Sequence, residues 1–119
     1  AKYSHTFTRD FFGIRDARGT GYLDVGINHE LGAGYTLNLH AGDGRVAGPG
    51  NDYWNWRDIK VGVTRVLASG VSISGAYTRA RGATDAYDAY STGVADRDGV
   101  THFSNPARGT FVLSVAKSF

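Results

Sequence analysis

Residues 22–31 read Tyr-Leu-Asp-Val-Gly-Ile-Asn-His-Glu-Leu, and this stretch decides the fold. Leu23, Val25, Ile27, His29 and Leu31 occupy the odd positions, while Tyr22, Asp24, Gly26, Asn28 and Glu30 occupy the even ones. Side chains of a strand alternate between two faces, so a period of two predicts a strand with one apolar and one polar face. The alternation resumes after Gly32-Ala33-Gly34, with Tyr35, Leu37, Leu39 and Ala41 against Thr36, Asn38, His40 and Gly42. Glycines tolerate the left-handed backbone of tight turns, so 22–42 reads as a hairpin.

A second hairpin, 58–78, follows the same plan. Ile59, Val61, Val63, Arg65 and Leu67 alternate with Asp58, Lys60, Gly62, Thr64 and Val66, then Ala68-Ser69-Gly70 turns the chain into Val71, Ile73, Gly75 and Tyr77. The two hairpins superpose at an offset of 36 residues, with Leu31 on Leu67, Gly34 on Gly70 and Leu37 on Ile73. That regularity reads as an internal repeat. Flanking strands are expected over Tyr3–Phe11 and Thr110–Phe119, giving an all-β, antiparallel up-and-down meander of about six strands in a single domain, 1–119. No helix is expected. Long connections (12–21, 43–57 and the polar 80–109) alternate with short ones, which matches the loop asymmetry of membrane β-barrels.

The composition narrows the function classes. The chain has 119 residues, no Cys and no Met, which excludes a disulfide scaffold, thiolate metal sites and a cysteine nucleophile. Its 17 glycines and seven tyrosines beside only two prolines suit a β-protein. Thirteen basic and eleven acidic residues are interspersed, so nucleic acid is a poor partner. The longest apolar run is three residues, far short of a transmembrane helix. Barrel strands carry no such run, and three features favour lipid over a core for the apolar face. The polar face carries small side chains instead of long solvated ones. Strands of about ten residues, at ~3.3 Å per residue and ~45° tilt, span ~23 Å, near the ~25 Å apolar band of membrane barrels. Aromatic residues stand near strand ends, where interfacial girdles form: Tyr3, Tyr22, Tyr35, Trp54, Trp56, Tyr77 and Phe119. Arg9, Arg65, Arg79 and Lys117 fall on the apolar face near strand ends, where long stems can snorkel.

The segments GTGYLDVGINHELGAGYTLNLHAG (Gly19–Gly42), RDIKVGVTRVLASGVSISGAYT (Arg57–Thr78) and FVLSVAKSF (Phe111–Phe119) resemble the C-terminal half of the TorF porin family of Gram-negative outer-membrane proteins. The run Tyr53-Trp54-Asn55-Trp56-Arg57-Asp58-Ile59-Lys60-Val61-Gly62-Val63 is similar to the family's approach to its penultimate hairpin, and Ser114–Phe119 to its closing strand with a terminal aromatic. The resemblance covers essentially the whole chain apart from 80–109. It implies an outer-membrane β-barrel for passive diffusion of small solutes, with outer-membrane lipid as its surroundings. Family members are about twice as long, and six strands fall below the ~8 of the smallest membrane barrels. The expectation is therefore a fragment, a truncated member, or a subunit whose strand edges pair with further strands or with copies of itself.

Within such a barrel the candidate lumen-lining residues are Lys2, Asp10, Asp24, Asn28, Glu30, Asn38, His40, Asp58 and Lys60. Mixed charges on a pore wall set ion preference, or satisfy one another in a plugged interior. The repeat places Asp24 and Lys60 at equivalent positions, as a possible cross-lumen pair. His5, His29, His40 and His102 lack metal-ligand spacing, and no metal, cofactor or catalytic site is expected. Asp96-Arg97-Asp98-Gly99 resembles the start of a calcium loop but lacks the closing Glu, so a surface turn is expected, leaving weak cation contact open. Two other classes remain: a structural β-protein assembling outside the cell into an oligomer or fibre through its strand edges, and a soluble β-barrel holding a small apolar ligand.

Overall fold

The computed structural model describes residues 1–82, 94–102 and 107–118. Six strands form one antiparallel meander sheet: β1 (Lys2–His5), β2 (Gly21–Gly32), β3 (Tyr35–Arg45), β4 (Trp56–Val66), β5 (Val71–Arg81) and β8 (Thr110–Lys117). A two-residue pair, β6 (Val94–Ala95) with β7 (Thr101–His102), makes a small separate hairpin within the longest connection. The sheet is open. β1 and β8 are its edges and are not paired with each other.

Register makes the pattern of the sequence into a surface. Even-numbered residues pair with even-numbered ones from β1 to β8, except at Gly32↔Tyr35, where a bulge shifts the ladder. All even side chains of the strands therefore share one face and all odd ones the other. Gly26↔His40 in the first hairpin and Gly62↔Ala76 in the second hold the same register once shifted by 36 residues. The first turn needs left-handed backbone at Gly32, Ala33 and Gly34, the second only at Gly70.

The apolar odd face is largely exposed. Ile27 is 58% exposed, Val61 48% and Leu113 87%, and among the described residues no second layer covers them. Among the described residues the buried apolar side chains are Ala17, Val46 and Ala107, none of them in a strand. They sit in the long connections at one end of the sheet. There Thr20 Oγ1 donates to Ala17 O (2.7 Å) and accepts from Ala47 N (3.1 Å), and Asn51 Nδ2 donates to Arg15 O (3.0 Å) and Ala47 O (2.8 Å). Loops 6–20 and 46–55 are thus tied together by buried Thr20 and half-buried Asn51.

Two expectations about elements need correcting. The first strand stops at His5 and does not reach Phe11. Beyond it Thr6 still exchanges backbone hydrogen bonds with Thr20 and Gly19. Phe11 and Ile14 then bridge each other around left-handed Phe12 and Gly13. The connection at 46–55 also contains a 3-10 turn, Asn51–Trp54, that alternation does not reveal.

Candidate functional site

The even face carries the site. β3 contributes two glycines, Gly42 and Gly44, where a side chain would block its neighbours. A Cβ on Gly42 would collide with the Tyr22 hydroxyl and stand 2.5 Å from Asp58 Oδ2, and one on Gly44 would strike the Trp56 ring. The notch lets β2 and β4 reach over β3. Tyr22 and Trp56 stack across it with ring centroids 5.6 Å apart and planes 17° from parallel. The Tyr22 hydroxyl meets Asp58 at 3.1 and 3.0 Å and lies 3.2 Å from His40 Nε2.

His40 stands at the centre of this cluster. Its Nδ1 lies 3.0 Å from Asp24 Oδ1 and its Nε2 2.7 Å from Asp58 Oδ1. A neutral imidazole has one N–H and serves one carboxylate, whereas an imidazolium donates to both. The two carboxylates lie on opposite sides of the ring, so they converge on no shared point. Among the described residues no cluster of His, Asp or Glu is arranged to hold a metal ion.

A second rung runs beside the first. Asn38 Nδ2 donates to Asn28 Oδ1 (2.9 Å), and Asn38 Oδ1 accepts from Thr64 Oγ1 (2.8 Å). The even side chains of β2, β3 and β4 are therefore stitched to one another across the sheet, and no buried side-chain polar atom of the described residues is left unsatisfied.

The structure sorts the expected site residues. Asp24, Asn28, Asn38, His40 and Asp58 come together in the two rungs. Lys2, Glu30 and Lys60 share their face, with Lys60 opposite His40 and Thr78. The Asp24–Lys60 pair does not form, because Asp24 is taken by His40. Asp10 leaves the candidate lining: it lies in the loop after β1, where its Oδ1 accepts from Asp16 N at 3.1 Å. Tyr3, Tyr35 and Tyr77 project on the odd face with the aliphatic residues, Tyr3 over Gly21 and Tyr77 against Phe111 at 5.0 Å. Tyr22 and Trp56 do not. Their even positions turn them into the polar cluster. Trp54 lies off the sheet in the 3-10 turn, edge-on to Tyr53 at 5.3 Å. Phe119 lies outside the described residues. Asp96 Oδ1 accepts from the backbone N–H groups of Asp98 (2.9 Å) and Val100 (3.0 Å), which makes 96–99 the turn of the β6–β7 hairpin.

Alternation alone reveals neither the glycine notch nor the Tyr22–Trp56 stack. Their signal is the Gly-x-Gly at 42–44, two glycines on one face of one strand, opposite Asp58 and Trp56 in the register.

Fold and site together define an all-β protein whose six-stranded sheet has interlinked polar side chains on one face and most of its aliphatic ones on the other. The chain belongs to the family described as "Bacterial protein of unknown function (Gcw_chp)", whose model matches residues 1–119. No curated protein and no solved structure matches it.

Proposed function

We propose that this chain forms part of the wall of an outer-membrane β-barrel through which small solutes diffuse passively. The observation that carries the reading is the inverted polarity of the sheet. Its aliphatic residues form a band on the odd face, exposed at Ile27, Val61, Val63 and Leu113 and half-buried at Leu37 and Leu39, and polar side chains bond to one another on the opposite face. In water such a band is a liability, whereas in lipid it is the expected outer surface. On β4 the band runs from Arg57 to Arg65, nine residues, whose eight steps cover about 26 Å along the strand and about 20 Å across a bilayer at the usual tilt. The remaining few ångströms suit snorkelling arginine stems. The TorF resemblance supplies the functional step, and the even face supplies a lining of mixed charge.

The test is single-channel recording in planar lipid bilayers. Discrete conductance steps are expected, with ion selectivity moving towards cations in Lys60→Glu, since Lys60 is an exposed charge of the even face without an ion pair among the described residues. Silent bilayers that contain inserted, β-structured protein would overturn the pore. They would favour a second reading, a structural β-protein assembled through strand edges, which draws its support from the two open edges β1 and β8.

A further inference from the structure

Four arginines gather on the apolar face where β3, β4 and β5 run into the long connections. Arg57 stands opposite Arg81 and next to Asp43, Arg79 lies opposite Ile59 one row further in, and Arg45 lies two residues beyond Asp43. With Ile59 and Tyr77 they line a depression of about 630 Å³. Asp43 engages Arg45 (2.5 and 3.0 Å) and Arg57 (2.8 Å). Arg79 and Arg81 have no acidic partner among the described residues. Asp58 also reaches this depression, but its carboxylate is already bound by Tyr22 and His40. Two of the four guanidiniums thus share Asp43 and the other two face no carboxylate among the described residues, at a rim floored by Ile59 and Tyr77. The opposite rim differs. There Arg65 is drawn over the Tyr35 ring, 5.0 Å from its centroid.

We propose that the rim formed by Arg45, Arg57, Arg79 and Arg81 binds the phosphorylated headgroup of a membrane lipid. The inference rests on the reading that the odd face meets lipid. Arginine forks match phosphate oxygens bidentately. Arg79 pairs with Ile59 at the end of the aliphatic band Ile59, Val61 and Val63, and Arg57 and Arg81 pair one row beyond it, so a phosphate held at the rim has its acyl chains laid on that band. A soluble phosphate would gain nothing from this continuity.

The experiment compares phosphatidic acid and phosphatidylcholine with identical acyl chains, added in equal amounts to the full chain in neutral detergent and read by native mass spectrometry. Phosphatidic acid adducts are expected to dominate by at least about tenfold. They should fall by about ten- to thirtyfold in the Arg79→Gln/Arg81→Gln double variant, since each surface cation contributes about a factor of five. Asp43→Asn, which frees Arg45 and Arg57, should raise them. Equal retention of the two lipids, or an undiminished double variant, overturns the proposal. So does complete displacement of phosphatidic acid by millimolar inorganic phosphate, which would mark a plain anion site. Circular dichroism in neutral micelles and protease protection in phosphatidylcholine vesicles separate the two failures. A chain unfolded in both overturns the membrane reading and this inference together, whereas a folded, inserted chain without headgroup preference overturns this inference alone.

Discussion

Tyr22 uses its two ends separately, the ring on Trp56 and the hydroxyl on Asp58 and His40. Tyr22→Phe keeps the stack and removes the hydroxyl, so a loss of about 1 kcal/mol is expected in urea unfolding of the folded, detergent-held protein. No change at all would mean that the hydrogen bonds contribute nothing. The glycines allow a sharper contrast. A Cβ at Gly26 would meet only Leu39 O at 3.6 Å, an ordinary contact, whereas at Gly42 it would occupy the space of the Tyr22 hydroxyl. Gly26→Ala should therefore be nearly neutral, and Gly42→Ala should destabilise by more than Tyr22→Phe, because it displaces both Tyr22 and Asp58. Equal effects of the two alanines would dismiss the notch. Part of this was readable in advance. Parity put Asp24, His40 and Asp58 on one face, yet parity equally put Tyr22 there, and its position near a strand end suggested an interfacial role. Which residue bonds to which depends on register across three strands, and one sequence does not state register.

β2 to β5 were legible because each alternates over about ten residues between glycine-bearing turns, so propensity, pattern and turn chemistry agree. β1 was overread. Phe7, Arg9 and Phe11 continue to alternate with Thr6, Thr8 and Asp10, but the chain is drawn aside by Ala17 N bonding to Arg9 O and by left-handed Phe12, Gly13 and Asp16. Tertiary contacts overrode a local pattern that had nothing to stop it. The assignment of faces leads to a prediction at the scale of strands. Val61→Asp places a carboxylate in the middle of the exposed band, and Thr78→Asp places the same carboxylate on the even face opposite Lys60. A charge on the lipid side of a membrane strand costs on the order of 2 kcal/mol near the midplane, while the lumen side tolerates it. Val61→Asp should therefore sharply reduce the protease-protected fraction in vesicles, with Thr78→Asp close to the parent. Normal folding of the parent in plain buffer, or the reverse order of the two variants, would reject lipid as the environment of the odd face.

At the scale of the molecule the sheet is unlike a globular domain. Its radius of gyration is 18.0 Å, against about 13.5 Å for a compact chain of this length. The difference follows from one layer with no packing partner among the described residues and two open edges. Backbone groups on an edge cannot stay unpaired in lipid, where each would cost several kcal/mol, so a membrane-inserted form of these 119 residues must cover both edges. β1 and β8 run antiparallel to each other in the meander, so the β8 of one copy can continue into the β1 of another without reversing direction, and two copies give twelve strands. β1 offers only four residues to such a ladder, whereas β8 offers eight. The seam would therefore be shorter than any other in the sheet except β1–β2. In mild detergent the expected native mass is thus a multiple of 12.8 kDa, with the larger species favoured at higher protein concentration because the seam is weak. Sedimentation equilibrium over a hundredfold concentration range decides the matter. A monomer that stays folded and bilayer-inserted at every concentration would show that the edges are covered from within the chain, and would reject pairing between copies.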